Sequence, residues 1–223
     1  MEAGPDAALT LPSRAMAGIR LAERLTSLRG ARPVVLAIPR GGAPVALAMS
    51  KALGGVFDVL VSLELAPAED PHKPFGAVAE FGGLAFDSHR GPASENSLSD
   101  ESADVQRVAR DVVRRAQFYR GEQSFPALDG RTVIVATDGV VHAPVATAAL
   151  RAVRSQGPKK LVFAAGVMSR STRIELRQEA EESVALREPE YLTYVAEWYR
   201  DFPTVSDEEI RAMLRSSPRG IPH

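Results

Sequence analysis

At 223 residues the chain can bury its own core, and its lack of cysteine excludes a disulfide framework, a thiolate zinc site and a cysteine nucleophile. With 27 Lys and Arg against 28 Asp and Glu, the net charge is −1, which offers no broad field to nucleic acid or to an anionic membrane. No apolar run is long enough to span a bilayer, and residues 1–12 lack the basic-then-apolar pattern of a signal peptide, so a cytoplasmic protein is expected.

Residues 1–12, with Gly4, Pro5 and Pro12, read as a loose arm. Ser13 is placed to cap a helix in which Met16, Ile19, Leu21, Ala22 and Leu25 recur near helical spacing. Val34 to Ile38 is a continuous apolar run, which suits a strand buried on both faces. Pro39-Arg40-Gly41-Gly42 breaks it, a helix follows from Pro44 to Leu53, and Gly54-Gly55 stops that helix. Asp58 to Val61 then reads as a second buried strand, giving a βαβ unit and hence parallel strands.

Ala66 to Ser97 is rich in Pro, Gly, Asp and Glu, with short hairpin strands predicted at Gly76–Glu80 and Leu84–Phe86. Ser99, followed by Asp100 and Glu101, caps a long helix that ends near Tyr119-Arg120-Gly121. Thr132 to Ala136 is the third buried strand, with Thr137-Asp138-Gly139 as a loop at its end. A helix from Pro144 to Val153, a strand from Leu161 to Val167, a helix from Thr172 to Glu182 and a short strand at Val184–Leu186 complete the alternation. Ser206 caps a last short helix. The expected fold class is α/β, a mostly parallel sheet of about five strands with helices on both faces and a small hood.

Ligands of such sheets sit at the carboxyl ends of the strands. There, Arg40, Gly41 and Gly42 suit an anion: glycines admit close backbone approach, a helix N-terminus follows, and the guanidinium is a bidentate donor. A tight turn with a solvent arginine explains the same pattern. Asp138 can bond hydroxyls or hold a metal, and is equally suited to capping the next helix. Glu80, Asp87 and Asp138 are too scattered to suggest a catalytic carboxylate pair. His72 and Lys73 belong to a solvated middle loop that reads as a mobile lid, and His89 and His223 have no metal-ligand spacing. Met168 and the aromatics around Trp198 read as core or interface.

From Ser13 to Met213 the chain resembles the type I phosphoribosyltransferases, in particular a bacterial group of stand-alone members. The resemblance rests on Val35 to Gly42, Gly76 to Glu80, Tyr119-Arg120-Gly121, Gly130 to Val135, Trp198 to Phe202 and Val205 to Glu209. It implies one domain over residues 13–213, with a lid insertion at about 62–98 and a hood at about 184–213. It also implies transfer of phosphoribosyl from phosphoribosyl pyrophosphate, with Mg²⁺, to a nitrogenous base. Arg40, Gly41 and Gly42 would hold pyrophosphate. Thr137, Asp138, Gly139, Val140, Val141 and His142 would hold ribose and its phosphate, with Asp138 also a candidate metal ligand. Tyr191 would stack on the base, and the family often forms homodimers.

Two departures stand out. Thr137 replaces the first of two acidic residues, and His142-Ala143-Pro144-Val145 replaces a Thr-Gly-Ala-Thr run, which removes two hydroxyls and one N–H. Leu63-Glu64 stands where a basic pair is usual, expected to bring a carboxylate near the pyrophosphate. The alternative reading is therefore a non-catalytic relative that binds a nucleotide, a phosphate metabolite or a protein partner.

Overall fold

The computed structural model describes residues 10–87 and 103–217. Its centre is a five-stranded sheet, built first from β1 (Val34–Ala37) and β2 (Val56–Val59). β6 (Thr132–Val140), β7 (Lys160–Met168) and β8 (Glu182–Arg187) complete it, all parallel, in the order β2-β1-β6-β7-β8. The apolar runs follow from burial on both faces. Val35, Ala37, Ile134, Ala136, Val162 and Ala164 enter one core, while Val34, Leu36, Val133, Val135, Leu161 and Phe163 enter the other.

Two helices cover the first face. α1 (Arg14–Arg24) is capped by the Ser13 side chain, which accepts from the Met16 N–H, as the sequence suggested. α2 (Gly42–Leu53) follows β1. α4 (Ala143–Arg154) covers the second face. The remaining helices are α3 (Ala103–Arg120), α5 (Arg170–Glu175) and α6 (Asp207–Ser216). α6 opens with a reciprocal Ser206–Glu209 capping box, which bears out the expected Ser206 cap. The cap expected at Ser99, Asp100 and Glu101 lies outside the described residues, as do His89 and His223.

Several expected boundaries need correction. β2 begins at Val56, because its N–H bonds the Pro33 carbonyl, and it ends at Val59. The chain then leaves the sheet, so Ser62–Leu65 is a separate strand, β3, paired antiparallel with β4 (Gly76–Ala79). β5 (Leu84–Phe86) completes the expected hairpin, and the result is a three-stranded sheet. In this part of the insertion, alanines 77, 79 and 85 pack against Ala148 and Ala152 of α4, and Phe75 and Val78 enter the first core.

β6 runs on to Val140, so Thr137-Asp138-Gly139 continues the strand instead of looping: Thr137 still registers with Ala165 and Val140 with Met168. The helix expected over 172–182 is α5 and one tight turn, because the Glu181 N–H bonds the Leu161 carbonyl and draws the chain into β8. Residues 10–12 are fixed as well: the Leu11 N–H bonds the Trp198 carbonyl, and the Leu11 and Pro12 carbonyls accept from Arg200 and Asp201.

Where β2 turns toward β3, Arg120 ties the junction together. Its guanidinium donates to Glu80 Oε1 and Oε2 at 2.7 and 2.6 Å, to Asp58 Oδ1 at 3.1 Å and to the Val59 carbonyl at 2.9 Å. All three charged side chains are less than 10% exposed. Burial works against the Arg120 charge, but Glu80 and then Asp58 outweigh it and raise the pKa. Arg120→Met removes the counter-charge from two buried carboxylates and is expected to cost about 3–5 kcal/mol in urea unfolding. A loss below about 1 kcal/mol would mean that water already screens the cluster.

Candidate functional site

The carboxyl ends of β1 and β6 meet at Gly41 and Asp138. A Cβ on Gly41 would overlap the Asp138 carboxylate, so glycine is required for this approach. Asp138 Oδ2 accepts from Arg14 Nε at 2.8 Å, and Oδ1 accepts from the Gly139 N–H at 3.0 Å. Arg14 also donates to the Pro203 carbonyl at 2.5 Å and lies 3.5 Å over the Phe202 ring. Tyr199 reaches in from the C-terminal segment and donates to the Asp138 carbonyl at 2.7 Å. A Cβ on Gly166 would overlap the Tyr199 hydroxyl, so that residue too must be glycine.

Around this junction lies an open cavity of about 240 Å³. Arg40, Gly41, Thr137, Asp138, Gly139, Val140, Val141 and His142, all expected site residues, line it. Gly42 does not: it is buried at the start of α2, against the Ala136 carbonyl. Tyr191, expected over the base, is 71% exposed and lines a neighbouring cavity with Ser169, Thr172 and Glu190. Val195 lines the first cavity instead.

The two arginines behave differently. Arg40 pairs with Asp207 at 3.1 Å, half exposed, a contact worth about 1 kcal/mol or less. An arriving anion can take Arg40 away from it. The Arg14–Asp138 pair is buried, with side chains 9% and 13% exposed, and breaking it would strand a charge. Arg40 is therefore the adaptable cation and Arg14 the fixed one.

Glu64 lies at the other end. Its Oε1 is 3.9 Å from His142 Nε2, and both side chains are half exposed. The carboxylate thus faces the start of α4, where a phosphate-binding turn was expected. Neither Asp138 oxygen is free of a partner, and Glu64 is engaged with His142. Among the described residues no three His, Asp or Glu converge. This donor set does not fit a resident Mg²⁺. Thr137 is buried, and its hydroxyl lies 3.2 Å from the Gly139 carbonyl and 3.3 Å from Asp138 Oδ1.

Glu80 pairs with Arg120, Asp87 lines the second cavity and Asp138 the first, so no catalytic carboxylate pair forms among them. Lys73 pairs with Asp70 in solvent, and His72 is exposed. Met168 is fully buried, and Trp198 packs against the core. Sequence reasoning missed Arg14, Asp207 and Val195, and took Tyr199 for packing. Only the unusual burial of an arginine at a helix start would have flagged Arg14, and that needs the fold.

A parallel α/β sheet with an arginine–glycine turn beside a cavity at its strand ends is the arrangement in which open α/β sheets take their ligands. The comparisons place it further. No protein-family model matches the chain. Two Mycobacterium tuberculosis proteins named "Putative phosphoribosyl transferase", Rv0571c of strain ATCC 25618 / H37Rv and MT0597 of strain CDC 1551 / Oshkosh, are each 35% identical over 209 residues, or 92% of this chain. The chain spans about half the length of these relatives, 46%. The crystal structure of TT1426 from Thermus thermophilus is 33% identical with a TM-score of 0.75, and the match covers 92% of this chain and 97% of that one. Over nearly its whole length the chain is thus a homologue of these proteins named as phosphoribosyl transferases. Among the described residues, no helix is long and apolar enough to cross a membrane.

Two tyrosines give this junction a pH signature. Burial first, then the negative charge of Asp138, raises the Tyr199 pKa above its ordinary value near 10. Burial and then the hydrogen bond to Asp207 do the same for Tyr119, whose hydroxyl lies 2.7 Å from Asp207 Oδ1. A raised folded pKa means that the folded state holds its proton longer. The associated stability is full below about pH 10 and declines as pH rises beyond it. Urea unfolding from pH 8 to 11 should show that decline, and the Tyr119→Phe, Tyr199→Phe double variant should flatten it.

Proposed function

We propose that the protein binds a ribosyl diphosphate ligand in the 240 Å³ cavity, with Arg40 and the Gly41 turn on the diphosphate and Asp138 on the ribose hydroxyls. The observation that carries this is the contact of the Gly41 turn with Asp138. It puts a loosely held cation and an anchored hydroxyl acceptor in one cavity.

This homology makes phosphoribosyl pyrophosphate the first ligand to test, with transfer to a nitrogenous base as the reaction. In that reading the protein's own groups position the leaving diphosphate and the ribose, and Asp138 accepts from the ribose hydroxyls while Arg14 keeps it aimed. The described residues form no cage for the Mg²⁺ that the family resemblance implies, so a bound ligand would have to supply most of its oxygens.

The start of α4 favours a second reading, a relative that binds its ligand without transferring it. Pro144 has no N–H, the Val145 N–H lies 3.3 Å from the His142 carbonyl, and Glu64 faces the turn. Each donor lost to a charged phosphate costs about 1.5–3 kcal/mol.

Calorimetry with pyrophosphate tests the shared claim. Arg40→Ala should weaken binding about tenfold or more, since hydrogen bonds to charged groups are the strong ones. No change would remove Arg40 from the site. Pyrophosphate release from phosphoribosyl pyrophosphate in the presence of purine and pyrimidine bases then separates the two readings.

A further inference from the structure

The cation that lines the cavity already has a negative partner within the protein. Arg40 Nε lies 3.1 Å from Asp207 Oδ1, and that carboxylate belongs to the first turn of α6, far along the chain. Resting on the reading that Arg40 holds the ligand's diphosphate, we propose that Asp207 is an internal competitor for Arg40. It pairs with the guanidinium whenever no other anion does, and so sets the affinity of the site below what Arg40 alone would give.

Three observations carry this. First, the pair is open to exchange. The Arg40 side chain is 48% exposed and that of Asp207 29%, so water screens their attraction and an anion can reach the guanidinium. The Arg14–Asp138 pair, 9% and 13% exposed, has no such freedom. Second, Asp207 does not depend on Arg40. Its Oδ1 also accepts from the Tyr119 hydroxyl at 2.7 Å, and Tyr119 is buried near the end of α3. Asp207 is also the first residue of α6, where the N–H groups of the helix start favour negative charge. When Arg40 leaves, the carboxylate keeps both supports. Third, Asp207 is held in place. The Tyr119 bond fixes its side chain, while the Ser206–Glu209 capping box and the buried Ile210 and Leu214 fix the helix that carries it. The exchange is therefore a movement of Arg40 alone between two anions, one supplied by the protein and one by the ligand. The ligand gains only the difference between them.

Calorimetry of the full chain with pyrophosphate tests this through Asp207→Asn, which removes the charge and keeps an acceptor for Tyr119. Binding should tighten about two- to fivefold, the range that a screened ion pair is worth. The gain should vanish when the same substitution is made on Arg40→Ala, because the competitor then has nothing to hold. Glu208→Gln removes an equal charge from the next residue, which is exposed, and should bring no such gain. Asp207→Ser should repeat the gain of Asp207→Asn. The capping box of α6 involves neither changed side chain, so both variants are expected to fold, and thermal unfolding checks that.

No gain in either Asp207 variant would overturn the proposal. So would an equal gain on Arg40→Ala or in Glu208→Gln, which would reduce Asp207 to one more charge in the general field. Failure of the underlying reading looks different. If Arg40→Ala leaves pyrophosphate binding unchanged, that reading falls and the competitor with it. If Arg40→Ala weakens binding and Asp207→Asn does not tighten it, the anion site stands and only the competitor is lost.

Discussion

The Asp138 carboxylate is the constraint on which the rest of the site depends. Three distant parts of the chain converge on this residue at the end of β6: Arg14 from the first helix, the Gly41 turn after β1, and Tyr199 from the C-terminal segment. Each contact admits little freedom. One needs a glycine because no Cβ fits, one is a buried ion pair, and one is a short hydrogen bond from a buried phenol. A charge held this way cannot relax toward an incoming ligand, so the ligand must adapt to it. The loose partner is Arg40, whose contact with Asp207 is weak enough to be exchanged.

The alternation of apolar runs with glycine-rich turns made the parallel sheet legible in sequence, and residues that need burial on both faces form four of its five strands in full or nearly so. Caps at Ser13 and Ser206 were legible because their chemistry is local. Boundaries failed where distant pairing decided them. Thr137-Asp138-Gly139 has the composition of a turn, yet β7 continues beside it and the ladder goes on. Ser62–Leu65 follows β2 so closely that it read as its continuation, and only its partner β4 shows that it belongs to another sheet.

The site was half legible. Arg40 and Asp138 sit at strand ends, where ligand chemistry is expected whatever the loop's details. The partners that fix Asp138 lie 124 and 61 residues away, and no local pattern carries that pairing. Glu64 was noticed as a misplaced carboxylate, but its neighbour is His142, a partner that only the packing of the small sheet on α4 could reveal. Tyr191, which the resemblance put over the base, lies at the adjoining cavity with Ser169 and Thr172.

The joining of Leu11 to Trp198 and Tyr199 bears on how the protein is made. These contacts close a loop of nearly the whole described chain. The central strands can pair as soon as β6 and β7 have left the ribosome, but the Asp138 junction must wait for residues 199 to 203. Completing that junction therefore carries the loop-closure cost of contacts that span nearly the whole described chain.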